Sequence, residues 1–355
     1  MRHFLVFVVM LYGNMVLATE TDSTFKPHGN MLVQLINRTE FNLSTGVGGM
    51  YINRSHIGYL YQFAPQWLGK IVLDAGRPTV LGNLQFLDSN GVTQALSYSY
   101  NEGSYYTMAL KFSYLQWKPN QKITLQMGGI LQNHYITQEK FWQHRYICET
   151  FQDRYFGTPS GDLGIIGYYS PNSWFSIDLA LTNGEGFRIN QDAGGKMKWA
   201  AGIDLLPTKW LQLRVYYDRK YFTLFAEDRY QSVFSAFAGI RPAKNIRAGF
   251  EMTYLEGFKG STGRELFGFS VFTAWSPLKS VEAFVRYDLL DSNGLDGGVG
   301  GWNKENDGQL LLTGLHYTVV KGIGLSLNYR QHFAAAHSSS NDYGILSFAF
   351  EYKLN

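Results

Sequence analysis

Across most of this chain, apolar and polar residues alternate one for one, and the alternation restarts about every 35 residues behind a proline. In 246–254, Ile246, Ala248, Phe250, Met252 and Tyr254 share one parity, while Arg247, Gly249, Glu251 and Thr253 share the other. Residues 281–288 and 323–330 repeat the pattern. A period of two belongs to a strand, so the 35-residue repeat is not a helical solenoid. Pro171, Pro207, Pro242 and Pro277 fall in register, each followed within three residues by Trp or Lys. Proline donates no backbone hydrogen bond, so it marks connections between strands and not their centres.

Seven short connections follow, near 64–66, 119–121, 171–173, 207–209, 242–244, 277–279 and 320–322. They join sixteen predicted strands: 30–43, 48–62, 67–76, 105–118, 121–131, 161–170, 173–183, 196–206, 209–219, 231–241, 245–256, 264–276, 279–290, 308–319, 322–333 and 342–354. The alternate connections, at 77–104, 132–160, 184–195, 220–230, 257–263, 291–307 and 334–341, are longer and irregular. An even strand count, with short turns at one end and long loops at the other, predicts an all-β fold: a closed antiparallel transmembrane barrel of the bacterial outer-membrane type. Both termini are then expected in the periplasm.

Composition agrees. Aromatic residues make up 16% of the chain and charged residues only 17%, against roughly 25% charged in soluble domains. Trp67, Trp117, Trp174, Trp210 and Trp275 all stand at or beside the short turns, where an interfacial girdle places them. The other origin for such tryptophans, a soluble sandwich core, gives no reason for that clustering. Residues 1–18 have a charged start, an apolar run and a small-residue end, and are expected to be a secretory signal peptide; residues 19–355 form the barrel. Removing Arg2, the only charged residue of that leader, lowers the formal charge from +3 to +2, too little to imply a nucleic-acid partner. The single cysteine, Cys148, forms no internal disulfide. No phosphate-cradling glycine loop, zinc spacing or nucleophile elbow occurs, so neither cofactor nor catalytic residue is expected.

The loop after the fifth predicted strand, about 132–160 and the third on that side when the connection between 30–43 and 48–62 is counted, is rich in large aromatics. Phe141, Cys148, Phe151 and Tyr155 lie near one face at helical spacing, with Thr137 as a candidate N-cap. Such a loop is unlike a solvated one. It reads as folded into the lumen to narrow it, with Lys140, His144, Arg145 and Arg154 as constriction residues; folding over the rim or packing against another subunit are the alternatives. The polar parity of the strands supplies candidate wall residues. The bases are Arg38, Arg54, Lys70, Lys111, Lys122, Lys198, Arg214, Arg247, Arg286 and Arg330. The acids are Glu40, Asp74, Asp178, Asp204, Asp218, Glu251, Glu282 and Asp288. Of these, Arg214, Arg247, Arg286, Asp218, Glu251 and Glu282 are the principal expected pore-wall set. In 291–308, Asp291, Asn293, Asp296 and Asp307 are hard-oxygen residues, but their spacing is not that of a calcium loop and fits a surface loop.

The stretches "LKFSYLQWKPNQKITLQMGG" (110–129), "FWQHRYICETFQDRYFGTPSGDLGIIGYY" (141–169) and "LALTNGEGF" (179–187), with "GKIVLDAGRP" (69–78), resemble outer-membrane porins of the phosphate-selective porin O/P family, in a Bacteroidetes-type form. The resemblance implies a sixteen-stranded, usually trimeric diffusion channel with an inward third loop. Its partners would be outer-membrane lipid and small hydrophilic solutes and ions. It also implies phosphate-like anions bound on a ladder of bases, but the interleaved acids here point to pairing and to only a mild anion preference. Two other functions remain open at this stage. One is a barrel enzyme of lipase or protease type, for which His332 and His337 near Ser338 are the nearest residues. The other is a non-conducting barrel subunit of an envelope complex.

Overall fold

A computed structural model describes residues 25–76, 84–87, 93–96, 107–188, 191, 194–222, 229–294, 301–303, 305–337 and 341–354. The expected signal peptide and most of the second long loop lie outside them. The strands are β1 (His28–Asn42), β2 (Gly48–Ala64), β3 (Trp67–Gly76), β4 (Leu84–Leu87), β5 (Thr93–Leu96), β6 (Thr107–Asn120), β7 (Ile123–Leu131), β8 (Gly161–Tyr169) and β9 (Phe175–Thr182). They continue as β10 (Lys198–Thr208), β11 (Leu211–Phe222), β12 (Arg229–Ala243), β13 (Ile246–Glu256), β14 (Glu265–Leu278), β15 (Val281–Ser292), β16 (Gly308–Val320), β17 (Ile323–Ala334) and β18 (Tyr343–Leu354). All but β4 and β5 form one closed antiparallel barrel of sixteen strands, in which β1 pairs with both β2 and β18. The pair β4–β5 is a separate hairpin inside the segment read from sequence as plain loop.

Side-chain parity separates the two faces. Along β13, Arg247, Gly249, Glu251, Thr253 and Leu255 are buried, while Ile246, Ala248, Phe250, Met252 and Tyr254 face outward. The outward set includes Val215, Phe250, Val271, Leu315, Leu327 and Phe348, all exposed large hydrophobics. In water that surface would be an aggregation site; in hydrocarbon it is the contact face. The barrel can sit there because closure pairs every strand on both sides and leaves no open edge.

Pro65 and Pro171 lie in the connections where sequence placed them, whereas four other prolines lie one step before theirs. The two-residue turns are Gln121-Lys122, Lys209-Trp210, Lys244-Asn245 and Lys279-Ser280, flanked by the pairs Asn120↔Ile123, Thr208↔Leu211, Ala243↔Ile246 and Leu278↔Val281. Pro119, Pro207, Pro242 and Pro277 sit before those turns, at breaks in ladder register. A residue without an N–H fits where the ladder is already interrupted. The residue preceding each proline then reaches sideways to the neighbouring hairpin. Lys118 N donates to Gln66 O (2.8 Å), Ser170 N to Lys122 O (2.8 Å), Leu206 N to Trp174 O (2.7 Å), Arg241 N to Trp210 O (2.7 Å) and Ser276 N to Asn245 O (2.8 Å). Thr318 N to Ser280 O (2.8 Å) and Lys353 N to Gly322 O (2.7 Å) continue the series without proline. The common register of the prolines is therefore the register of a chain of turn-to-turn hydrogen bonds around the rim. Trp67 stacks on Trp117 (centroids 5.7 Å apart), and Trp174, Trp210 and Trp275 are exposed beside the turns, as an interfacial girdle requires.

The outward face generates a direct prediction. Val215→Arg, at the middle of β11, should cost about 2–4 kcal/mol in urea unfolding from lipid vesicles, whereas Gln212→Arg on the inward parity should cost far less. Equal losses at the two positions would contradict the assignment of faces.

Candidate functional site: the third loop inside the barrel

The loop 132–160 lies inside the barrel, with only Lys140, Gln143 and Gly157 exposed. It forms two short helices, α1 (Ile136–Trp142) and α2 (Phe151–Tyr155). A single helical face carrying Phe141, Cys148, Phe151 and Tyr155 is therefore corrected: Gln143, in the left-handed region (φ 65°), ends α1. Thr137 is not an N-cap either. Tyr135 holds that position, and Thr137 Oγ1 donates to Asp204 Oδ1 on β10 (2.7 Å).

Two apolar clusters seat the loop. Phe141, Trp142, Tyr146, Ile147 and Cys148 pack with Ile36, Phe237, Phe272, Ala274, Phe284, Leu312 and Ala349 of the wall. Phe151 and Phe156 pack with Val233, Leu255, Leu266 and Leu290. These wall residues occupy the inward parity, where the alternation predicts polar side chains. Sequence reasoning missed them, yet the signal was present: Phe284 stands between Glu282 and Arg286, and Phe272 between Ser270 and Ala274. An apolar residue on the water-facing parity has to be covered. Glycine makes the remaining room. A Cβ on Gly239 would lie 2.7 Å from the Phe141 ring, and one on Gly268 would lie 2.6 Å from Phe151.

The polar wall residues complete the seat. Arg247 and Glu282 form a buried pair against which His144 rests, with Ser276 Oγ donating to Glu282 (2.8 Å). Arg247 Nη2 also donates to Trp142 O (3.1 Å), Arg38 Nε to Tyr146 O (2.9 Å) and Arg286 Nη1 to Glu149 O (2.5 Å). Glu251 Oε1 accepts from Gln152 N (3.0 Å), and Tyr146 O–H donates to Leu325 O (3.0 Å). Of the residues expected to line the pore, Arg286 and Glu251 hold the loop, while Arg247 and Glu282 hold it and also line the polar cavity beneath it. Burial pulls the His144 imidazole below its ordinary pKa, which Glu282 only partly restores. Burial pushes the Glu149 carboxyl up, but Arg38, Arg154 and Arg145 together bring it down to about 2.

Of the expected constriction residues, only Lys140 is exposed to the lumen. Arg145 is paired with Glu139 (2.6 Å) and Asp153 (2.5 Å), and Arg154 with Glu149 (3.7 Å). The wall bases are paired as well: Lys111 with Asp74 (3.3 Å), Lys198 with Asp218 (3.6 Å), Arg214 with Asp178 (2.8 Å) and Asp204, Arg286 with Asp288 (2.8 Å), Arg330 with Glu40 (2.6 Å). Arg54 bonds Gln34 (3.4 Å), Lys70 lies over Phe112 and Tyr114, and Lys122 is in a turn and not on the wall. Polar cavities remain on both sides of the loop. One of ≈ 460 Å³, toward the short turns, is lined by Arg241, Lys244, Lys279, His316, Glu351 and Lys353 among others. One of ≈ 430 Å³ is lined by Arg38, Glu40, Tyr51, Ile52, Asn53, Asp74, Arg188 and Arg330. His332 faces the lumen, buried and stacked on Tyr343 (4.9 Å), and His337 bonds Asp307 Oδ2 (3.0 Å); Ser338 lies outside the described residues.

No family model and no curated protein matches the chain. Solved structures do. The outer-membrane channel DcaP of Acinetobacter baumannii is 12% identical, with a TM-score of 0.64 over 94% of this chain and 99% of that one. OmpF of Salmonella typhi, solved with daunomycin, is 9% identical, with a TM-score of 0.65 over 92% and 97%. The trimer form of OmpT, an outer-membrane protein of Vibrio cholerae, is 11% identical, with a TM-score of 0.60 over 93% and 100%. At these identities the likeness is one of fold: the chain is built as a sixteen-stranded barrel of the outer-membrane porin type.

Proposed function

We propose that this protein is an outer-membrane porin, a passive diffusion channel for small hydrophilic solutes and ions, narrowed by the loop 132–160. The observation that carries the proposal is the seat of that loop. It rests on an apolar patch of the inner wall and on the Arg247–Glu282 pair, with polar cavities on both sides of it. A loop so fixed narrows a lumen without acting on what passes. The named channel among the fold neighbours supports the reading, and a trimeric form among them supports a homotrimer. Both termini are periplasmic in this reading, and residues 1–18 are the export signal.

The pairing of the wall bases argues for weak selectivity in place of a phosphate ladder. Arg54, Lys70 and Lys140 supply positive charge beside neutralised pairs, which favours anions slightly. A barrel enzyme would need a nucleophile–base dyad at the lipid rim, and His332 lies on the opposite parity, in the lumen.

Three outcomes follow. In planar bilayers the purified protein should give steady ohmic steps that grow when 138–156 is deleted; a non-conducting barrel, or unchanged steps on deletion, would contradict the proposal. In a potassium chloride gradient, the reversal potential should show a chloride-to-potassium permeability ratio above one and of order unity; cation selectivity would overturn the charge argument. Glu282→Gln leaves Arg247 without its buried partner, a loss of about 3–5 kcal/mol. Opening of the loop should then expose fully buried Cys148 to thiol reagents at least about a hundredfold faster. Unchanged protection of Cys148 would show that this pair does not hold the loop.

A further inference from the structure

At the long-loop end of the barrel, three ligand-bearing side chains meet from the β15–β16 and β17–β18 connections and the strand end beside them. Asp291 is the penultimate residue of β15, Asp307 immediately precedes β16, and His337 follows β17; their ligand atoms all lie within 4.8 Å of one another. Asp307 has no exposed surface. Its Oδ2 accepts from Ser292 Oγ (2.6 Å) and contacts His337 Nε2 (3.0 Å). Its Oδ1 is buried with no hydrogen-bond partner among the described residues.

That oxygen is the informative atom. A buried carboxylate oxygen without a donor is costly, and a bound cation removes the cost. The carboxylate is also fixed in place. Asn303 N donates to Ser292 Oγ (2.9 Å), Ala335 N donates to Asp307 O (3.1 Å), and a Cβ on Gly301 would lie 2.3 Å from Asp307 Oδ2. Such support orients a ligand before the ion arrives. Asp291 is exposed at its strand end, so its rotation can close the cluster to the roughly 3.3 Å edges of a tetrahedral site with metal–ligand bonds of about 2.0–2.1 Å.

We propose that Asp291, Asp307 and His337 bind one divalent transition cation of the zinc class. Two carboxylates and an imidazole suit that class; calcium and magnesium take oxygen ligands and have no use for the histidine. With three protein ligands, water fills the fourth position. The ion ties the ends of β15 and β17 to the start of β16. This inference does not rest on the channel reading.

The test is calorimetric titration of the full chain, folded in detergent without a polyhistidine tag and stripped with chelator, against zinc chloride and, separately, calcium chloride. Asp291→Asn and His337→Ala, both at solvent-accessible positions, serve as variants, with folding checked by heat-modifiable gel migration. The wild type should bind one equivalent of zinc, and each folded variant should bind it on the order of tenfold more weakly or worse. Absence of a saturable zinc equivalent, equal affinity in the variants, or preference for calcium would overturn the proposal.

Discussion

Everything in this molecule depends on the pairing of its first strand with its last. The register Val33↔Leu354 to Asn42↔Ile345 turns an open sheet into a barrel without an edge. A bilayer offers the backbone no hydrogen bonds, so closure is what allows the strands to lie there at all. The seven sideways hydrogen bonds at the short-turn end bind each hairpin to the next, and the prolines sit beside them because their own ladder positions are vacant. Strand count, register of the repeat and position of the aromatic belt are consequences of one geometric requirement.

Closure creates a second problem, a wide lumen, and the interior chemistry addresses it. A ring of wholly polar inward residues would leave the third loop no reason to stay inside. The wall therefore breaks its own alternation with Phe237, Phe272, Phe284 and Leu312, and the loop covers them with Phe141, Trp142, Tyr146 and Ile147. Aromatic contacts of this kind, such as Trp142 against Phe272 (5.0 Å) and Phe284 (5.8 Å), contribute about 0.5–1.5 kcal/mol each beyond burial. The Arg247–Glu282 pair fixes position more than it adds stability, since burying two charges is itself unfavourable. The same pairing habit across the wall joins most of its bases to acids, as in Lys111 with Asp74 and Arg214 with Asp178.

The barrel was legible in sequence because its cause is local. Period-two alternation, prolines in register and tryptophans beside turns are each visible within a dozen residues, and strand limits such as 67–76 and 245–256 agree with β3 and β13 within a residue or so. The proline bulges were misplaced by a step because register against a neighbouring strand is not a property of one segment. The site was legible only in outline. Aromatic richness marked 132–160 as an inward loop, but nothing in the sequence shows that Arg247, Arg286, Glu251 and Glu282 also bond loop backbone and side chains. Those contacts join residues more than 95 positions apart, as in Gln152 with Glu251, and no spacing rule reports them. Asp307 shows the same limit: a residue of a seemingly solvated loop is wholly enclosed.

The central claim is that a fixed internal loop leaves a narrow, water-filled path. Swelling of proteoliposomes in sugars and sugar oligomers of increasing size tests it most directly. The account predicts uptake of the smallest solutes, a steep fall with size, and no saturation with concentration. Vesicles that fail to swell in any solute, or that admit large oligomers as fast as small sugars, would contradict it.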